Sequence, residues 1–199
     1  MDLVGVRGTL YRDGKKIDKP LWLPIPGLHM AYPALFAVAA ALDLGLPLEA
    51  TLASLATCTP AKHRMQVVAR GGVTVLDDCY NANPSSTEAL LAFVAGLAHP
   101  GRKVLVLGDM LELGQLASSS HRAIVERVLA ERGFARAYLV GPLYQKAVVE
   151  QSAAKNPKLA LFPSVVSLAG ELARELAPGD LLVLKGSRGI ALETLIEKL

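Results

Sequence analysis

Cysteine is scarce: Cys58 and Cys79 are the only two in 199 residues. They form neither a CxxC pair nor a zinc-type spacing, so they spell out no disulfide framework or zinc ribbon. Such usage fits a reducing compartment. Aromatic residues make up only 5% of the chain, and the 52% apolar content is mostly Ala and Leu. No charge of one sign prevails. Twenty-one Lys and Arg against 18 Asp and Glu leave a net +3 without a basic block, which argues against a dedicated nucleic-acid arm. Long apolar runs are missing too. The longest, Ala34 to Leu42, falls far short of the roughly 20 residues that span a bilayer. The first residues, Met-Asp-Leu-Val-Gly, lack the features of a signal peptide. Neither a nucleic acid nor a membrane is therefore expected as a partner. The sequence also holds no G-x-x-x-x-G-K-[ST] phosphate loop, no G-x-G-x-x-G, no HExxH and no G-x-S-x-G.

What is there reads as alternating strands and helices. Leu3 to Tyr11 and Lys16 to Leu23 flank Asp13-Gly14, a hairpin signal. Two helices follow, Pro33 to Leu44, closed by Gly45, and Leu48 to Ala56. Sixty residues of this kind are too few to bury their own apolar faces, so the segment reads as the tail of something larger. From Met65 the pattern changes. Gly71-Gly72 predicts a second hairpin between Met65–Ala69 and Val73–Leu76. Short continuous apolar runs then recur at Val104–Leu107, Ala137–Val140, Leu159–Phe162 and Leu181–Leu184, as expected of parallel strands covered on both faces. Helical patterns separate them: Pro84–Ala98, Ser119–Arg132, Leu143–Ala153, Val165–Leu176 and a terminal Ile190–Leu199. Asn83-Pro84 suits an N-cap and first helical position, and Gly133 suits a C-cap. The expected fold is α/β: a Rossmann-like, doubly wound, mostly parallel sheet with an N-terminal β-hairpin, preceded by a partial α/β segment. The boundary is expected between residues 1–62 and 63–199.

Open α/β sheets bind ligands outside the carboxyl ends of their strands. Three strand ends are unusually polar: Asp77-Asp78-Cys79-Tyr80-Asn81-Ala82-Asn83, Gly108-Asp109-Met110-Leu111-Glu112-Leu113-Gly114, and Lys185-Gly186-Ser187-Arg188-Gly189. The intervening strands end blandly, at Gly141-Pro142 and Pro163-Ser164. Lys185 and Arg188 near a helix start oppose the helix dipole, so they either offset Asp77 and Asp78 or await an anionic ligand. Cys79, behind two carboxylates, is a poor nucleophile, and no residue is assigned as a metal ligand. Asp77, Asp78, Asp109 and Lys185 also imitate the acidic and basic set of a receiver domain. Asp109, however, follows the second parallel strand, whereas a receiver needs its phosphoacceptor after the third. A nucleotide-binding domain without catalysis is the other alternative.

The three motifs, with His121 seven residues beyond Gly114 and Glu193 beyond the last, resemble the C-terminal domain of the Mur ligases. Pro26-Gly27-Leu28-His29 and the junction His63-Arg64-Met65-Gln66 are similar to the end of that family's central ATPase domain. The resemblance implies that residues 1–62 are the tail of the central ATP-binding domain and residues 63–199 the complete C-terminal domain. It implies an ATP- and Mg-dependent, amide-bond-forming ligase of peptidoglycan precursor synthesis in the cytoplasm. Its substrates would be a UDP-N-acetylmuramoyl-tripeptide and D-alanyl-D-alanine, joined through an acyl phosphate. The N-terminal remainder of the enzyme, including the phosphate loop that holds most of the nucleotide and magnesium, would be a necessary partner. By the same resemblance, His29, Arg64 and Asp78 serve the nucleotide. Arg64 and Lys185 serve catalysis. Asn81, Asn83, Ser187 and Arg188 serve the dipeptide. The family usually carries Asn where Met30 follows His29, and Ser where Cys79 stands.

Overall fold

The computed structural model describes residues 2–199 and divides them into two compact units, one ending at Ala61 and the other Lys62–Leu199. In the first, β1 (Val6–Arg12) and β2 (Lys15–Leu23) form an antiparallel hairpin whose turn uses Asp13 and Gly14, both at positive φ. Two helices follow, α1 (Ala31–Asp43) and α2 (Leu48–Ala56). Gly45, at φ +73°, stops α1 where a side chain would be strained. Val38, Ala41, Leu52 and Leu55 are buried within this unit, yet Tyr32, Phe36, Leu44 and Leu46 stay exposed. The apolar residues thus outnumber the places this unit has to hide them.

The second unit is a six-stranded sheet in the order β3-β4-β8-β5-β6-β7. Its strands are β3 (Gln66–Arg70), β4 (Val73–Asp77), β5 (Lys103–Gly108), β6 (Arg136–Val140), β7 (Leu159–Phe162) and β8 (Leu181–Lys185). Only β3 runs antiparallel, joined to β4 through Gly71 and Gly72 at positive φ. Four helices connect the strands: α3 (Pro84–Ala95), α4 (Ala117–Ala130), α5 (Pro142–Glu150) and α6 (Val165–Glu175). The period-2 alternation of strand side chains sorts the core into two layers. Val75, Val104, Val106, Tyr138, Leu182 and Leu184 pack with Leu168 and Leu172 of α6 and with Leu192 and Leu195. Leu76, Leu105, Leu107, Leu139 and Val183 point the other way, and they are fully buried, as are Leu90 and Leu91 of α3, Val125 and Val128 of α4 and Val148 of α5. The sheet is mostly parallel, with helices on both faces.

Two local expectations fail. The terminal pattern Ile190–Leu199 is not an α-helix. It is two 3-10 segments, Arg188–Ile190 and Leu192–Lys198, hinged at Ala191 with φ +58°. Hence Lys185 and Arg188 face no α-helix dipole. Gly133 is not the C-cap of α4. That helix ends at Ala130, Glu131 turns extended, and the Glu131 carboxylate accepts the Gly133 N–H at 3.1 Å.

Candidate functional site

The sheet order explains why only three strand ends are polar. The polar loops follow β4, β8 and β5, and these strands are immediate neighbours, while β6 and β7 lie toward the far edge. Residues over a hundred positions apart in sequence thereby share one rim.

Lys185, 4% exposed, ties this rim together. Its Nζ donates to Asp78 Oδ2 at 2.6 Å and to the Asn81 carbonyl at 2.9 Å. Asp78 Oδ1 also accepts the Met65 N–H at 3.1 Å, which fastens the residue after Arg64 to the end of β4. Ser187 makes the second tie. Its Oγ accepts the Leu111 N–H at 2.9 Å and reaches the Ala82 carbonyl at 3.5 Å, and its own N–H donates to the Asp109 carbonyl at 3.2 Å. The arrangement fits a buried lysine, because a cation lacking such partners would be too costly to bury.

Arg188 is largely exposed and donates to Glu193 Oε1 at 2.6 Å. It therefore balances neither Asp77 nor Asp78. Arg64 lays its guanidinium over the Tyr80 ring at 4.1 Å from the centroid. Asn83 caps α3: its Oδ1 accepts the Ser86 N–H at 2.8 Å, and Ser86 Oγ accepts the Asn83 N–H at 3.2 Å. Asn81 turns its Oδ1 back onto the Ala82 N–H. A cleft of about 180 Å³ opens between Tyr80, Asn81, Leu111, Glu112, Ser187, Arg188 and Gly189. Four of the seven candidates in this unit, Asn81, Ser187, Arg188 and, through its hydrogen bond to Asn81, Lys185, thus converge at or beside one cleft. His29 belongs to the first unit, in the 3-10 turn Leu28–Met30.

Asp109 does a different job from the one its exposed-looking motif suggests. It is fully buried, and its two oxygens accept the Leu143 and Tyr144 N–H groups at 2.9 and 3.0 Å, capping α5. Gly141-Pro142 is therefore not a bland strand end. Gly141 sits at φ +118°, where a Cβ would come within 2.4 Å of the Asp109 carboxylate. With both oxygens occupied and no exposure, Asp109 is no phosphoacceptor. His121, also fully buried, accepts the Met110 N–H at Nε2 (3.0 Å) and donates from Nδ1 to the Ala117 carbonyl (2.6 Å), which shapes the same loop. These positioning roles carry no sequence signal, because their partners are backbone groups of other elements.

Asp77 lies beside the rim but faces another way. Its carboxylate meets His63 Nδ1 at 2.7 Å and the Cys79 thiol at 2.9 Å. Burial, with the adjacent Asp77, pushes the Cys79 thiol pKa far up, which agrees with its reading as a poor nucleophile.

An open, mostly parallel sheet with an acidic, an amide-bearing and a basic loop on adjacent strands defines a Rossmann-like α/β domain. Comparison with known proteins narrows the class. Residues 63–188 match the family described as Mur ligase, glutamate ligase domain. The chain is 39% identical over 195 residues to UDP-N-acetylmuramoyl-tripeptide–D-alanyl-D-alanine ligase of Treponema pallidum, covering 96% of this chain and 40% of that protein. Among solved structures it resembles MurF from Acinetobacter baumannii, with TM-score 0.84, 29% identity, and coverage of 99% of this chain and 42% of that one. It shares its fold with MurF ligase from Thermotoga maritima in complex with ADP, at TM-score 0.75 and 22% identity, covering 98% and 45%. The chain belongs to the Mur ligase family. It spans about two fifths of the length of the curated relatives it matches. Among the described residues no helix is long and apolar enough to cross a membrane.

Proposed function

We propose that the chain is the C-terminal portion of a cytoplasmic, ATP-dependent ligase that joins D-alanyl-D-alanine to a UDP-N-acetylmuramoyl-tripeptide in peptidoglycan precursor synthesis. Residues 1–62 would end the central ATP-binding domain, and residues 63–199 would belong to the C-terminal domain. The observation that carries the reading is the pair of ties made from the end of β8. Lys185 holds the Asp78–Asn81 loop and Ser187 holds the Leu111 loop, so three family motifs form one rim around a cleft.

The nucleotide fits the residues present only along one edge. Asp78 is still partly exposed, and its oxygens keep lone pairs for ribose hydroxyls beyond their bonds to Lys185 and Met65. Arg64 is exposed beside it, with a guanidinium fork suited to phosphate oxygens. His29 is the candidate nucleotide contact from the first unit. These 199 residues contain no phosphate loop, so the phosphates and magnesium are assigned to the remainder of the enzyme. When bound, ATP with magnesium supplies the phosphoryl group that activates the tripeptide carboxylate.

The chain's own residues then divide the work. The ammonium of Lys185 has three donors and two fixed acceptors, which leaves one N–H for negative charge developing at the reacting centre. Arg188 takes the free carboxylate of the dipeptide. This contact would replace its ion pair with Glu193, whose side chain is only 17% exposed while that of Arg188 is 59% exposed. The planar guanidinium fork suits a bidentate carboxylate, which the single 2.6 Å bond to Glu193 does not provide. Asn81, Asn83 and Ser187 flank the dipeptide. Asn83 has spent its oxygen on the helix cap and offers its amide N–H₂.

The test is an enzyme carrying residues 1–199 as its C-terminal portion. Phosphate release from ATP should require both UDP-N-acetylmuramoyl-tripeptide and D-alanyl-D-alanine. Release indifferent to the dipeptide would overturn the reading. Residues 1–199 alone should neither hydrolyse ATP nor become phosphorylated by acetyl phosphate.

A further inference from the structure

One cluster plays no part in the chemistry above. His63 Nδ1, a carboxylate oxygen of Asp77 and Cys79 Sγ lie within 4.8 Å of one another. Asp77 is 3% exposed and Cys79 1%, while the His63 side chain keeps 12%. Asp77 stands at the centre, 2.7 Å from the imidazole and 2.9 Å from the sulfur. Since a carboxylate only accepts, Nδ1 carries the proton in this arrangement. Glu193 Oε2 faces the sulfur from 3.9 Å, its other oxygen held by Arg188. His63 itself sits at φ +59°, a conformation uncommon outside glycine, and this backbone turns its ring onto Asp77.

We propose that His63, Asp77 and Cys79 form a zinc site that staples the 63–65 junction to the carboxyl end of β4. The donor set points to a transition metal such as zinc. Thiolate and imidazole select zinc over magnesium or calcium, which take oxygen ligands. The size suits it as well. Bonds of about 2.0–2.3 Å in a tetrahedron put ligand atoms roughly 3.3–3.8 Å apart. The Asp77 contacts are shorter than this and need open only by about an ångström, while the outer limit of 4.8 Å need close by as much. The balance is simple. The Cys79 S–H bond breaks as the Zn–S bond forms, and its proton goes to solvent. The Nδ1 proton of His63 moves to Nε2, leaving the Nδ1 lone pair for the metal. One thiolate and one carboxylate neutralise the divalent cation, so no net charge is buried. Three protein ligands leave the fourth position to water, which enters on the side where His63 is exposed. The staple would hold Arg64, which directly follows His63. The inference stands on these three residues whether or not the ligase reading holds.

Cobalt(II) reports the site directly. The purified chain, stripped of metal by a chelator, should bind one equivalent of cobalt. A thiolate-to-cobalt charge-transfer band and the visible bands of a tetrahedral ion should appear, and zinc should erase both. Cys58→Ser should change nothing. Cys79→Ser should abolish the charge-transfer band, and His63→Gln should weaken binding by at least about tenfold to a hundredfold. Melting curves without metal show whether each variant folds. Should buried Cys79→Ser not fold, His63→Gln decides, being at the partly exposed position. No band at one equivalent, a band that follows Cys58, or His63→Gln with unchanged affinity would overturn the site and leave a hydrogen-bonded triad only.

Discussion

Nζ of Lys185 lies 2.6 Å from Oδ2 of Asp78, although 107 residues separate the two in the chain. The contact exists because β8 enters the sheet between β4 and β5. It joins the candidate catalytic cation to the candidate nucleotide carboxylate, so each is preorganised by the other.

That pairing predicts distinct kinetics for the two sides of the rim. In the ligase, Lys185→Ala and Arg64→Ala should each lower turnover by about 10²–10³-fold, the loss expected when a charge-stabilising donor is removed. Asp78→Ala should chiefly raise the Michaelis constant for ATP. Steady-state kinetics with each substrate, beside a melting curve, check this. Proportional loss of every kinetic parameter and of the melting temperature would mean that the pair only holds the fold.

Arg188 should behave otherwise. It is 59% exposed by side chain, so Arg188→Ala should leave the melting temperature nearly unchanged. The Michaelis constant for D-alanyl-D-alanine should rise about ten- to a hundred-fold, the worth of a lost charge-assisted bond of about 1.5–3 kcal/mol. That for ATP should barely move. Unchanged dipeptide kinetics would remove Arg188 from the site.

Gly141→Ala should be among the most damaging small substitutions in the second unit. Its φ of +118° strains any side chain, and the new Cβ would press on the buried Asp109 carboxylate. Backbone strain costs about 1–3 kcal/mol, and overpacking adds about 1–3 kcal/mol. Chemical denaturation measures the loss. A change under about 0.5 kcal/mol, the range of ordinary surface substitutions, would contradict the packing described.

Acid should weaken the second unit through Asp180. Burial alone would raise its carboxyl pKa, but Arg102, through Nε and Nη2 at 3.1 and 2.6 Å, and the Ala177 N–H at 2.9 Å override burial and hold the pKa below the ordinary value. The folded state therefore binds this proton more weakly than the unfolded state. Its contribution is present above the unfolded pKa of about 3.9 and fades as pH falls through the depressed folded value. Arg102→Ala should cost about 1–3 kcal/mol at neutral pH and should flatten the acid limb of stability against pH. An acid limb identical to wild type would exclude Asp180 as its source.

The strands and most helices were legible in the sequence because each has a local cause. Gly71-Gly72 supplies the positive φ of a tight hairpin, Asn83-Pro84 supplies a cap and a first turn, and continuous apolar runs mark strands covered on both faces. The terminal segment misled for the same reason. Ile190, Leu192, Leu195 and Ile196 have helical spacing, but Leu192 and Leu195 must reach the sheet-side core beside α6, and the turn at Ala191 breaks the helix to let them. Gly133 looked like a cap, but the Glu131 side chain had already satisfied its N–H.

The candidate rim divides in the same way. Sequence alone determined the polar residues at three strand ends and the family motifs they compose, since residue type and spacing are one-dimensional facts. Only the tertiary structure decided that β8 lies between β4 and β5, that Lys185 belongs to Asp78 while Arg188 belongs to Glu193, and that Asp109 caps α5. It alone brought His63 to Asp77 and Cys79. Charge–charge and hydrogen-bond energies fall off within a few ångströms. Partner choice is therefore set by strand order and backbone direction, which no local pattern records.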